Sequence, residues 1–251
     1  MKTISVVCQN GGVGKTTTVI NIASVLANKG LKTLIIDTDP QGNVSTYLNQ
    51  EKSKTNNTTT TEILDGEKNI NPLKVKDNLY LIPSDIDIKK HNSEKIIGGS
   101  KLKKINENEN INTFDLVLID TPPTMSSLVQ EALATSDYYF IPSKPEFLAV
   151  EGVGQAMSFA KQTTAEVPRT NPVFLGVILN QVDTRRSSYQ DFESELKHIL
   201  ADKLFKTHIS QLTEIADSPF YAKTVLDFNE NSKARVEFEE LTEELLKKVG
   251  L

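Results

Sequence analysis

Short runs of apolar residues recur along the chain, separated by stretches where apolar positions return every three or four residues. Thr3–Cys8, Thr33–Asp37, Leu79–Ile82, Phe114–Ile119, Tyr138–Ile141 and Val173–Leu179 read as strands. Most are continuous apolar runs, which suits strands covered on both faces. Lys15–Lys29, Ser126–Thr135, Val150–Thr163, Tyr189–Asp202 and Ala234–Val249 read as helices. Strands alternating with helices predict an α/β fold, a mostly parallel twisted sheet flanked by helices. Two stretches break the alternation. Glu51–Thr60 is polar and rich in threonine, and Lys101–Asn112 is rich in Asn, Glu and Lys; both read as solvated loops or weak helices.

Length and composition narrow this picture. The 251 residues fit one large domain spanning 1–251. A net charge of −5 argues against a wholly basic nucleic-acid binder and leaves a local basic patch open. The one cysteine, Cys8, excludes a disulfide framework and a Cys₄ metal site within one chain. His91, His198 and His208 show no ligand-like spacing. No apolar region follows a basic start, and no apolar run approaches the roughly eighteen residues of a membrane span. The expected location is cytoplasmic, with no membrane attachment.

The candidate chemistry lies at the first strand–helix junction. Gly11-Gly12-Val13-Gly14-Lys15-Thr16 sits where a phosphate loop must sit. Glycines let backbone N–H groups approach phosphates, and a helix beginning near Lys15 points its positive end at them. Lys15 can reach the β- and γ-phosphates of ATP, and the Thr16 hydroxyl can ligate Mg²⁺. The first glycine of the common G-x-x-x-x-G-K-[ST] pattern is displaced, so the match is to the GGVGKT variant. Leu34–Asp37 leads into Asp37-Thr38-Asp39-Pro40-Gln41-Gly42-Asn43, and Phe114–Ile119 delivers Asp120. Carboxylates at these strand ends face the ligand crevice of a parallel sheet. Asp39 is the candidate for orienting the attacking water, Asp120 for Mg²⁺, and Asp37 for a second-shell partner of Mg²⁺ or Lys15.

With these residues in view, the chain resembles the ParA/MinD family of deviant Walker P-loop ATPases, nearest its ParA branch. The matching segments are Gly11–Thr18, Asp37–Asn43, Leu81–Asp87, Val117–Pro123, Pro145–Gly152 and Gly176–Asp183. The resemblance implies ATP and Mg²⁺ as cofactors, the cradle running from Gly11 through Val13 to Thr17. It implies a homodimer sandwiching two nucleotides, slow ATP hydrolysis stimulated by an adaptor protein, and binding of nonspecific DNA in the ATP state. A cargo (plasmid, chromosome locus or carboxysome) would thereby be positioned along the nucleoid. Asn180 matches the position that contacts adenine in the family. Because the chain starts at the P-loop strand, no helix-turn-helix extension is expected.

Two departures stand out. The family's signature lysine, which crosses the dimer to the partner's phosphates, is replaced by Asn10, which is shorter and uncharged. Lys144, in Pro142-Ser143-Lys144-Pro145-Glu146, follows a strand on the same sheet edge. We take it as a candidate to reach ATP in trans, as in the McdA group that spaces carboxysomes. Gln211 and Glu214 stand in Ile209–Pro219 where relatives often carry arginines. The adjacent Arg185 and Arg186 are then the leading candidates for DNA phosphate contacts. A MinD-like membrane switch needs a basic amphipathic C-terminal helix; the tail instead carries Glu237, Glu239, Glu240, Glu243 and Glu244. A cluster-carrying relative is disfavoured by the single cysteine. A nucleotide-binding scaffold that hydrolyses little is disfavoured by the presence of Asp39.

Overall fold

The computed structural model describes residues 1–49, 57–93, 96, 99–146, 149–228 and 232–251. Seven strands form one sheet: β1 (Lys2–Val6), β2 (Thr33–Asp37), β3 (Leu73–Lys76), β4 (Leu79–Ile82), β5 (Leu116–Asp120), β6 (Tyr138–Ser143) and β7 (Val173–Leu179). Their spatial order is β3-β4-β2-β5-β1-β6-β7. Every described pairing is parallel except β3 with β4. The expected α/β architecture with a mostly parallel sheet is therefore present. The short antiparallel edge strand β3, of alternating sequence Leu-Lys-Val-Lys, was absent from the sequence reading.

The helices are α1 (Lys15–Asn28), α2 (Asn43–Tyr47), α3 (Thr60–Asp65), α4 (Ser127–Thr135), α5 (Ala149–Glu166), α6 (Ser187–Leu200), α7 (Thr213–Asp217) and α8 (Lys233–Val249). On one face of the sheet, Ile4, Ile35, Leu81 and Leu118 pack against α1 and α8 through Ile20, Ile22, Phe238, Leu241 and Leu245. On the other, Ile36, Val117 and Ile119 meet α3 and α4, while Ile141, Val177 and Leu179 meet α5 and α6. Coverage of both faces explains the unbroken apolar runs of β2 and β5, in which every residue is buried.

For both stretches read as solvated loops or weak helices, the helical alternative holds where they are described. Residues 51–56 lie outside the described residues, but Thr59 caps α3 through a reciprocal pair with Glu62. The Thr-x-x-Glu spacing of a capping box was legible there. Lys101–Asn112 holds two 3₁₀ turns, Leu102–Glu107 and Ile111–Thr113, whose Leu102, Ile105 and Ile111 are fully buried. Apolar residues three apart match that tighter turn, while the polar residues between them gave the segment its loop-like composition. β1 ends at Val6, so Cys8 is buried just beyond the strand. α8 packs on α1, as its apolar stripe requires.

Candidate nucleotide site

β2, β5 and β1 are neighbours, and their ends bring the chemistry together. Asp37 pairs in register with Asp120, and Asp120 with Val6. The loop from Val7 to Gly14 leaves the same edge and turns into α1. Gly14 (φ 85°) occupies the left-handed region at the helix N-cap, which glycine adopts without steric cost. No side chain caps the first turn of α1. Its N–H groups are therefore available to an anion, and the helix dipole favours one. Lys15 is buried and donates from Nζ to the Asn10 carbonyl at 3.2 Å, closing the loop on itself. Val13 is buried, and Gly11, Gly12 and Thr17 complete the curved segment.

Opposite the helix end, the Thr16 hydroxyl donates to Asp120 Oδ2 at 2.7 Å. The other oxygen, Asp120 Oδ1, is buried with no hydrogen-bond partner among the described residues. A hydroxyl beside a half-satisfied buried carboxylate is a donor set that suits Mg²⁺. Burial pushes the Asp120 carboxyl up to about 7, against the lowering by the Thr16 hydrogen bond and the Lys15 charge. Asp37 is raised well above the carboxylate range, first by burial and then by Asp120. Both Asp37 oxygens accept backbone N–H groups, from Asp39 at 2.9 Å and Val44 at 3.2 Å. Asp37, expected to stand behind Mg²⁺ or Lys15, neighbours Asp120 and also shapes the loop that presents Asp39. Asp39 Oδ1 accepts from Gln41 N at 2.9 Å. Thr38 fastens the same loop to the Asp120 carbonyl through its backbone N–H and its hydroxyl, at 2.9 and 2.7 Å.

Asn180, at the end of β7, donates from Nδ2 to the Val13 carbonyl at 3.0 Å and to Thr18 Oγ1 at 2.9 Å. Its Oδ1 is buried and has no partner among the described residues. It borders a cavity of about 240 Å³ lined by Thr17, Thr18, Ile209, Leu212 and Pro219 among others. Sequence reasoning missed Gln181, which donates to the Gly12 carbonyl at 2.9 Å from a left-handed backbone (φ 56°). Its position directly after Asn180 at a strand end was the available signal. The Lys144 ammonium stands over Gly12 of its own chain, 3.9 Å from where a Cβ would project. The Asn10 amide lies against Gly152, 3.0 Å from the corresponding point. Phe147 and Leu148 of the Pro145–Gly152 motif lie outside the described residues.

Arg185 is exposed and makes a two-pronged pair with Asp183, at 2.8 and 2.9 Å. That pair holds the Asp183 carboxyl down at about 2. Arg186 is exposed at the start of α6. Glu214, where relatives often carry arginine, accepts the backbone N–H of Ala234 at 2.9 Å and so serves the first turn of α8.

A family model described as an AAA domain matches residues 1–172. The chromosome-partitioning ATPase Soj of Thermus thermophilus is 30% identical over 250 residues, covering 99% of this chain and 97% of that one. The chain belongs to the ParA/Soj family of partitioning ATPases. Soj of Treponema pallidum is 31% identical over 255 residues, covering 99% and 98%. A plasmid partition protein of Borrelia burgdorferi, solved with AMPPNP, superposes with a TM-score of 0.77 at 26% identity, covering 98% of this chain and 99% of that one. Apo McdA of Cyanothece shares the fold, with a TM-score of 0.84 at 21% identity and the same coverage. This ParA/Soj protein is an ATPase with ATP and Mg²⁺ as its cofactors. Among its described residues no helix is long and apolar enough to cross a membrane.

Proposed function

We propose that this ParA/Soj ATPase is a dimerising switch that binds nonspecific DNA in its ATP state. It would position or partition a cargo on the nucleoid, with an adaptor protein stimulating hydrolysis. In this reading the first turn of α1 and Lys15 bind the phosphates. Thr16 and Asp120 would hold Mg²⁺, which would supply neutralisation of phosphate charge. Asp39, on the loop fixed by Asp37 and Thr38, orients the attacking water. Asn180 holds the loop through the Val13 carbonyl and offers its free oxygen to the base.

The observation that carries the switch reading is the Lys144 ammonium standing over Gly12 while Asn10 contributes no charge. A cation held on the open side of the phosphate loop can serve the nucleotide of its own chain or reach that of a second copy. DNA binding would draw on exposed cations such as Arg185 and Arg186, doubled by dimerisation. The test is light scattering and a DNA mobility shift with MgATP and with MgADP. Expected are an ATP-dependent doubling of mass and DNA retention that weakens steeply with salt, both lost in Lys144→Ala. ATP-independent mass and DNA retention in the wild type would overturn the switch. Wild-type behaviour of Lys144→Ala would overturn the part given to Lys144.

A further inference from the structure

A buried polar chain on the α1–α8 side of the sheet links three elements that lie far apart in sequence. Asn21 of α1 is fully buried, and both its amide nitrogen and its amide oxygen are hydrogen-bonded. Its amide donates to the Thr17 carbonyl at 2.8 Å and, over a long 3.5 Å, to the Tyr47 hydroxyl. Its Oδ1 accepts the backbone N–H of Val225 at 2.9 Å. Tyr47, in α2, makes a second and closer hydrogen bond to the Ser218 hydroxyl. Ser218 in turn donates to the Ile215 carbonyl at 3.0 Å.

The donor count fixes a direction. The Ser218 proton is committed to Ile215, so Ser218 accepts from Tyr47, and Tyr47 accepts from Asn21. Burial raises the Tyr47 phenol above its ordinary range, so it keeps its proton at neutral pH. Chains aligned in this way polarise one another, and breaking one member leaves its neighbours unsatisfied.

Each end has a position that matters. α2 begins at Asn43, directly after the loop that carries Asp39, and Gly42 N donates to the Asp39 carbonyl at 2.8 Å. Val44 N is held by Asp37. A displacement of the Asp39 loop therefore moves α2 and its Tyr47. At the other end, Ser218 opens a 3₁₀ turn, Ser218–Tyr221, that projects Phe220 and Tyr221 at 87% and 65% exposure. The segment is tied to α1 a second time, where Ser24 Oγ meets Thr224 Oγ1 at 3.0 Å.

We infer that Tyr47 is a positioning residue whose hydroxyl couples the Asp37–Gly42 loop to the 218–225 segment, so that changes at the phosphates are transmitted to the exposed Phe220–Tyr221 pair. A tyrosine that merely fills the core would also be buried and satisfied. It would not connect the nucleotide response of one segment to that of the other. The inference rests on the Asp37–Gly42 loop responding to nucleotide.

The test is hydrogen–deuterium exchange of the full chain with and without Mg-AMPPNP, alongside calorimetric binding of the same nucleotide. The wild type is expected to slow at residues 11–18, at 38–47 and at 220–225, the last lying beyond the residues that line the base cavity. In Tyr47→Phe the first two responses remain and the protection gained at 220–225 falls about fivefold to tenfold. Ser218→Ala, which keeps the whole tyrosine, is expected to lose the same response and decides the matter should Tyr47→Phe fold poorly. Wild-type protection at 220–225 in both variants overturns the coupling, as does a wild type that responds only at 11–18 and 38–47. A wild type that binds Mg-AMPPNP with no response at 38–47 removes the loop reading on which the coupling rests.

Discussion

If Asp120 holds Mg²⁺, binding of Mg-nucleotide should release a proton. The Asp120 carboxyl stands at about 7 in the nucleotide-free chain because burial outweighs the Thr16 hydrogen bond and the Lys15 charge. At pH 6 about nine chains in ten hold this proton, and at pH 8 about one in ten. Mg²⁺ requires the ionised form. Affinity for MgATP should therefore fall about tenfold per pH unit below 7, about 1.4 kcal/mol, and level off above pH 8. Half-titrated at pH 7, the group should release about half a proton per nucleotide bound.

The same shift bears on stability with a definite sign. A carboxyl raised in the folded state favours the protonated fold, so this contribution is complete below the unfolded value of 3.8 and is lost as pH rises to about 7. Mg-nucleotide binding at higher pH would offset that loss. The assay is titration calorimetry of MgATP at pH 7 in two buffers of different ionisation enthalpy. ATP releases protons of its own, since its terminal phosphate titrates near pH 6 to 7. Asp120→Asn isolates the protein's share: magnesium-free ATP binding is retained, and the buffer-dependent heat falls by the half proton. Equal buffer dependence in wild type and Asp120→Asn would refute the reasoning.

Three further outcomes follow from single residues. Asn180→Ala removes both hydrogen bonds that hold the Val13 carbonyl and Thr18, and ATP affinity measured by calorimetry should weaken about tenfold; unchanged affinity would show that the loop holds its shape alone. Gly176→Ala would place a Cβ 2.2 Å from the Lys203 carbonyl oxygen at φ 140°, so thermal melts should show a loss of about 3 kcal/mol, roughly 10 °C in Tm. Burial pushes the Cys8 thiol up from 9.0, so iodoacetamide at pH 8 should leave the native chain largely unmodified and label it fully in urea.

What could be read from the chain was what is local in it. The strand–turn–helix around Lys15 and the acidic ends of β2 and β5 depend on residues a few positions apart, and parallel strands carry such ends to one edge. The 3₁₀ turns near Leu102 and Ile111 stayed undecided between loop and weak helix because their period of three sits among polar residues, and β3 was lost because it is a four-residue edge. The Tyr47–Ser218 contact joins residues 171 apart, and no pattern along the chain marks it. The Asn180 position came from resemblance alone; its hold on Val13 needed coordinates, because β7 reaches the phosphate loop only through the sheet order β1-β6-β7.

The charge at this edge gives the Asn10 departure a structural reading. Asp37, Asp39 and Asp120 are all buried at the ends of two adjacent strands, and Lys15 is the buried cation beside them. A lysine at position 10 would ride on the phosphate loop and move with it. Lys144 instead leaves the end of β6, whose neighbour β1 leads into that loop, so the sheet sets where its charge enters. Asn10 is exposed, and its amide lies against Gly152 of α5, where a Cβ would stand 3.0 Å from it. If Lys144 supplies the missing charge, Gly152→Ala, which need only nudge the exposed Asn10 side chain by a few tenths of an ångström, should leave ATP-dependent association close to wild type. If Asn10 itself were the essential group, Asn10→Ala would abolish association even though it relieves the contact with Gly152. Retention in Asn10→Ala together with loss in Lys144→Ala is the pattern that a sheet-anchored cation requires.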